Sequence, residues 1–143
     1  MKTLVTQHSC KTELHSLFLR ATPARLALLT YLENINEPVD VSSMTHYLVE
    51  KGITTDQATV FRIINIFTQK GLTRQLHFNE GKFRYELSSK PEHHHLVCKH
   101  CGEIQDVLKC GIEELEKTIE EKTQFKIYSH SLEFFGICSQ CQK

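Results

Sequence analysis

TDQATVFRIINIFTQKGLTRQLHFNEGKFRYEL, residues 55–87, changes its period halfway along. Up to Gly71, Val60, Ile63, Ile64 and Phe67 fall at i, i+3, i+4 and i+7, the buried stripe of a helix running from Thr55 as its cap to a stop at Gly71. Beyond Gly71 the period is two. Leu76 and Phe78 alternate with polar residues, Asn79-Glu80-Gly81-Lys82 reads as a turn, and Phe83, Tyr85 and Leu87 alternate back. The helix points Gln57, Thr59, Arg62, Asn65 and Gln69 outward. That face is polar and rich in hydrogen-bonding groups, and its one acid, Asp56, sits at the helix start, where the dipole favours it.

Working backward, Thr22-Pro23-Ala24-Arg25 is a helix start, with threonine as the cap and proline in the first turn. Leu26, Leu29 and Leu32, with Leu28 beside them, give it a buried face. A loop at 34–38 follows, then Asp40 caps a second helix with Met44, Tyr47 and Leu48 inside. Three helices and a hairpin make the order of a winged helix-turn-helix. The third helix is the candidate for the major groove of DNA, through Thr59 and Arg62, and Lys82 and Arg84 on the wing belong near phosphates. The competing reading is a small helical domain that binds protein, with Arg62 a solvated helix residue.

Working forward, Ser88-Ser89-Lys90-Pro91-Glu92 is a polar, proline-containing junction. The 143-residue chain has no net charge, yet residues 1–90 carry +3 and residues 91–143 carry −3. All five arginines lie before the junction and five of the six cysteines after it. Arginine is the preferred ligand of phosphate and guanine, so the split assigns nucleic acid to the first part. The expected organisation is α+β: a winged-helix DNA-binding domain over 1–88 and a small α/β dimerisation domain over 89–143. In the latter, strands near 96–98, 104–107 and 126–137 flank a helix over 112–123.

Two matched pairs, Cys98-Lys99-His100-Cys101 and Cys138-Ser139-Gln140-Cys141, can close a tetrahedral shell of four thiolates around zinc. No signal peptide or bilayer-length apolar run is visible, which points to a reducing cytoplasm and to metal over disulfides. Four thiolates leave no open coordination position, so this zinc is structural. Just before the first pair stand Glu92-His93-His94-His95. On a strand, His93 and His95 share one face and His94 takes the other, and alternate histidines make a ready bidentate pair. Glu86, Asp106, Glu113 and His130 are the candidates to complete a site. The other histidines (His8, His15, His46, His77 and His100) read as ordinary surface or core residues, and Cys10 and Cys110 as ordinary thiols.

Together these residues resemble the ferric uptake regulator (Fur) family of bacterial metal-responsive repressors. The resemblance runs from about Phe18 to Cys141. It rests on Thr22-Pro23-Ala24-Arg25, on Ala58-Thr59-Val60-Phe61-Arg62, on the histidine run leading into Cys98-Lys99-His100-Cys101-Gly102, and on His130-Ser131-Leu132-Glu133-Phe134-Phe135-Gly136-Ile137-Cys138. It implies a homodimer that binds double-stranded operator DNA. It also implies a regulatory hinge site at Glu86, His93, His95 and Asp106, and an additional site at His94, Glu113 and His130, with Glu92 where the family usually has histidine. Two further departures stand out. Pro38 occupies a position that commonly supplies a hinge histidine, leaving Glu37 or a water to substitute. Phe61 replaces a tyrosine on the recognition helix, losing the hydroxyl while keeping a ring able to pack on a thymine methyl.

An N/O donor set suits iron(II), and loss of one ligand suits four-coordinate zinc(II), with manganese(II) behind both. The expected protein is thus a metal-dependent repressor of metal-homeostasis genes, with structural zinc and a sensed iron or zinc ion. It is not an enzyme and has neither a membrane partner nor a small-molecule substrate. A metallohydrolase built on Glu86, His93, His95 and Asp106 would need a nucleophile motif or phosphate loop, and none is visible. A zinc scaffold without DNA contact leaves the segregated arginines unexplained. A peroxide sensor would need an open, poised iron site.

Overall fold

The computed structural model describes residues 7–143, with side chains from Cys10 onward, so the side chain of His8 lies outside it. The chain forms two compact units that divide between Lys90 and Pro91.

In the first unit, α1 (Gln7–Ser16) precedes α2 (Pro23–Asn34), α3 (Val41–Glu50) and α4 (Gln57–Gln69). The ten residues of α1 are mostly polar and carry no helical stripe that announces it. Packing accounts for α1: Cys10 and Leu14 are fully buried in the cluster around Leu28, Leu29 and Leu32. The α2 and α3 caps match the reading. The Thr22 hydroxyl accepts from the Arg25 amide at 3.3 Å, and the Asp40 carboxylate accepts from the Ser43 amide at 2.7 Å. The α4 cap does not. It is Asp56, which accepts from the Thr59 amide at 2.7 Å, whereas the Thr55 hydroxyl is buried without a partner. A carboxylate facing the positive end of the helix is the better acceptor, and it takes the cap one residue later.

Val60, Ile64 and Phe67 of α4 join Met44 and Leu48 of α3 in the same core, each wholly shielded from water. Every such side chain contributes roughly 1.5–3 kcal/mol of burial free energy. With its inner stripe held in this way, α4 must present Gln57, Arg62 and Gln69 outward. Strands β1 (Thr73–His77) and β2 (Phe83–Leu87) pair antiparallel, Arg74 opposite Glu86 and Gln75 opposite Tyr85. Their turn needs the left-handed region at Asn79 (φ 55°) and Gly81 (φ 78°). Val39 exchanges both backbone hydrogen bonds with Tyr85, at 3.0 and 2.8 Å, and ties the hairpin to the segment before α3.

In the second unit, β3 (His94–Cys98) lies between β4 (Ile104–Val107), antiparallel to it, and β5 (Glu133–Gly136), parallel to it. The helix α5 (Ile112–Thr123) connects β4 to β5. The strand expected over 126–137 is reduced to four residues, and His130 lies in the irregular run before it. Only 133–136 find partners on β3, against residues 95–98. In the preceding run side chains take over: the Ile127 amide donates to Glu120 at 2.7 Å, and the Leu132 carbonyl lies 3.1 Å from His94 Nδ1. Every residue of α5 keeps some exposure, with Leu115 55% and Ile119 40% accessible.

Candidate metal centres and recognition surface

The two Cys-x-x-Cys turns meet because β3 ends at Cys98 and the parallel β5 delivers Cys138 beside it. Gly102, at φ 81°, donates to the Cys98 carbonyl at 2.9 Å and closes the first turn. The Cys141 amide closes the second on the Cys138 carbonyl at 3.0 Å. All four sulfurs lie within 4.8 Å of one another, and none forms a disulfide. Cys101 Sγ and Cys138 Sγ are 3.7 Å apart. A tetrahedron with zinc–sulfur bonds of about 2.3 Å has edges of about 3.8 Å, so the spacing fits a shared cation. Backbone amides of Cys101 and Cys138 hold the Cys98 thiol down at about 6. A hydrogen bond with Cys138 pushes Cys141 up to about 12. Four thiolates this close ionise together only around a positive charge.

The histidine run divides between the two faces of β3. His93 Nε2 and His95 Nε2 are 3.1 Å apart, and Asp106 Oδ1 lies 3.8 and 3.9 Å from them. The register that sets His95 opposite Asp106 on β4 supplies this carboxylate. A carbonyl can only accept, so the His93 Nδ1–H donates to the Pro91 carbonyl at 2.6 Å, which turns Nε2 toward His95. Glu86, in the first unit, is buried on β2, and Arg74 Nε donates to it at 2.6 Å.

On the other face, His94 Nε2 and His130 Nε2 stand 3.2 Å apart. His94 Nδ1 is committed to the Leu132 carbonyl at 3.1 Å, and His130 Nδ1 to Glu116 Oε1 at 2.7 Å. Glu92 Oε1 lies 3.4 Å from His130 Nε2. With both Nδ1 atoms taken up by oxygen acceptors, the two Nε2 atoms and Glu92 Oε1 face one another, a donor set that suits a shared cation. The sequence had singled out Glu113. It lines the same cleft, of about 640 Å³, together with Cys110, but the carboxylate on His130 is Glu116, one turn later on α5. Helical spacing alone offers 113 and 116 equally, so the choice between them was not readable from the sequence.

The outward face of α4 carries Arg62, whose Nη2 donates to the Thr59 hydroxyl at 3.4 Å, and Phe61, 47% exposed. Phe61 and Gln57 share a shallow cleft with Ser43 of α3 and with Lys82 and Phe83 of the wing. Lys82 is ion-paired with Asp40. The Arg84 guanidinium is bonded to Glu80 of the wing turn at 2.5 and 3.2 Å and to the Pro38 carbonyl, before α3, at 3.0 Å. Cys10, outside these sites, donates its thiol to Glu33 at 3.3 Å.

The family model described as the ferric uptake regulator family matches residues 16–135. The ferric uptake regulation protein of Neisseria meningitidis is 34% identical over 125 residues, 87% of each chain. The Helicobacter pylori ferric uptake regulator Fur, a structure with three functional metal binding sites, superposes with a TM-score of 0.84 at 26% identity, covering 100% of this chain and 98% of that one. The Vibrio cholerae ferric uptake regulator, whose DNA-binding domains are structurally rearranged, gives 0.80 at 32% identity over 90% of this chain and 98% of that one. A family match spanning 16–135, relatives aligned over nearly their full length, and a chain in which a four-cysteine cluster follows a helix-and-hairpin unit in sequence agree: the chain is a member of the ferric uptake regulator family.

Proposed function

We propose that this protein is a homodimeric, metal-gated repressor that binds double-stranded operator DNA of metal-homeostasis genes in the cytoplasm. The observation that carries the reading is the close pair His93 Nε2 and His95 Nε2, with Asp106 beside it, three residues beyond the first unit. In this reading His93, His95 and Asp106 hold the sensed iron(II) or zinc(II), and Glu86, seven residues back in the chain, is the fourth ligand. Closing these groups on one cation restrains the 88–92 linker and favours the spacing of two DNA-binding units that suits the double helix. A tenfold gain in DNA affinity needs roughly 1.4 kcal/mol of preference for that shape.

Cys98, Cys101, Cys138 and Cys141 hold structural zinc, which joins the end of the chain to β3. The dimer covers accessible apolar side chains of the second unit, among them Leu108, Leu115, Phe125 and Tyr128. His94 and His130, with Glu113 in their cleft, form the additional cation site. Thr59, Phe61 and Arg62 read bases, and Lys82 and Arg84 serve the backbone contact. No helix among the described residues is long and apolar enough to cross a membrane. The test is a mobility shift against genomic fragments, titrating iron(II), zinc(II) and manganese(II) in parallel. Retardation that needs one of these metals supports the gate, and binding indifferent to all three overturns it.

A further inference from the structure

We propose that Glu116 is the positioning residue of the additional cation site, acting through His130 and not as a ligand. The proposal rests on the reading of His94 and His130 as a cation pair. Glu116 Oε1 takes the Nδ1 side of His130 at 2.7 Å, leaving Nε2 as the atom that faces His94 Nε2 at 3.2 Å. The carboxylate belongs to α5, and the histidine to the irregular run before β5, a segment with no strand partners to orient it. His94 is on a strand and is held by the Leu132 carbonyl at 3.1 Å. A backbone carbonyl therefore holds Nδ1 of one ring, while Nδ1 of the other is held by a side chain.

A carboxylate behind a histidine fixes both the tautomer and the ring plane, and makes the opposite nitrogen a better electron-pair donor. Losing such a partner typically costs 10–100-fold in metal affinity. Without Glu116, His130 is free to place its proton on Nε2, where it blocks the cation, or to rotate away from His94. Glu92 Oε1, 3.4 Å from His130 Nε2, stands on the open side of the pair as an oxygen donor. Glu116, on the far nitrogen, cannot serve in the same way without releasing His130.

The test uses the full-length, zinc-loaded dimer and calorimetric titration of zinc(II) and manganese(II), with His94→Ala identifying the additional site. Glu116→Leu should weaken that site 10–100-fold while leaving the thiolate zinc in place, and Glu116→Gln, which keeps an acceptor oxygen, should recover part of the loss. Nitrogen-15 NMR of the ring should show the His130 proton on Nδ1 in the parent and moving to Nε2 in Glu116→Leu. Parent affinity in Glu116→Leu, or an unchanged tautomer, would overturn the role of Glu116. If His94→Ala and the parent bind the same number of cations, the additional site itself fails, which is a separate result. Lower thermal stability with unaltered metal affinity would reduce Glu116 to a structural ion pair and also overturn the proposal.

Discussion

Lys82, in the wing turn, is ion-paired with Asp40, whose carboxylate also caps α3. One carboxylate therefore joins the hairpin to the helix that supports α4, and the wing is placed before any DNA arrives. Burial alone would raise the Asp40 carboxyl, but the Lys82 ammonium and the Ser43 hydrogen bonds outweigh it and hold it below the usual carboxylate range.

That direction sets a pH dependence. A carboxyl depressed in the folded state adds stability above its unfolded value of about 3.9, and this stability is lost as pH falls through the lower folded value. Asp40→Asn keeps a capping oxygen and removes the charge. Melting curves from pH 2.5 to 6 should show the variant less stable than the parent by about 0.2–1 kcal/mol near pH 6, the range of partly exposed pairs. The gap should close at the acid end. A gap that persists at pH 2.5 would refute the ion-pair account.

Substituting Arg62 by alanine should cost on the order of 1–3 kcal/mol in operator affinity if it reads a base edge. Lys82→Ala should instead weaken all sequences alike and lower the salt slope. Because Lys82 shares its charge with Asp40, its effect should be smaller than that of a free phosphate ligand. Fluorescence anisotropy across a salt series measures both, and unchanged operator affinity in Arg62→Ala would remove α4 as the reader.

Cys98→Ser should release the thiolate-bound zinc and abolish dimerisation in sedimentation, because the second unit has few fully buried apolar side chains to hold it without a cation. Zinc content by atomic absorption gives the other half of the measurement. A folded, dimeric Cys98→Ser protein without zinc would contradict the structural role.

His93→Ala combined with His95→Ala should leave the thiolate zinc and the dimer intact and abolish metal-dependent DNA binding. Protons compete with metal for imidazole nitrogens, so acid should weaken metal-dependent binding in the parent. A double variant that still responds to metal would move the sensor to His94 and His130.

Wherever a short-range rule operates alone, the residues were sufficient. Thr22 and Asp40 cap as read, the Val60, Ile63, Ile64 and Phe67 stripe is the buried face of α4, and the two Cys-x-x-Cys turns carry their own closing hydrogen bonds. The alternation of His93, His94 and His95 between two faces also follows from strand geometry. Tertiary structure decided what local chemistry leaves degenerate. Residues 126–137 have strand character throughout, yet β3 offers partners only to the last few, so pairing set the length of β5. α1 is mostly polar and exists through Cys10 and Leu14 against α2, a contact its own sequence does not announce. Glu113 and Glu116 are equivalent on the helix face, and the three-dimensional path of the chain before β5 gave His130 to Glu116. Caps and periods act over a few residues and can be read in order, whereas the partner of a side chain depends on which distant backbone is brought beside it.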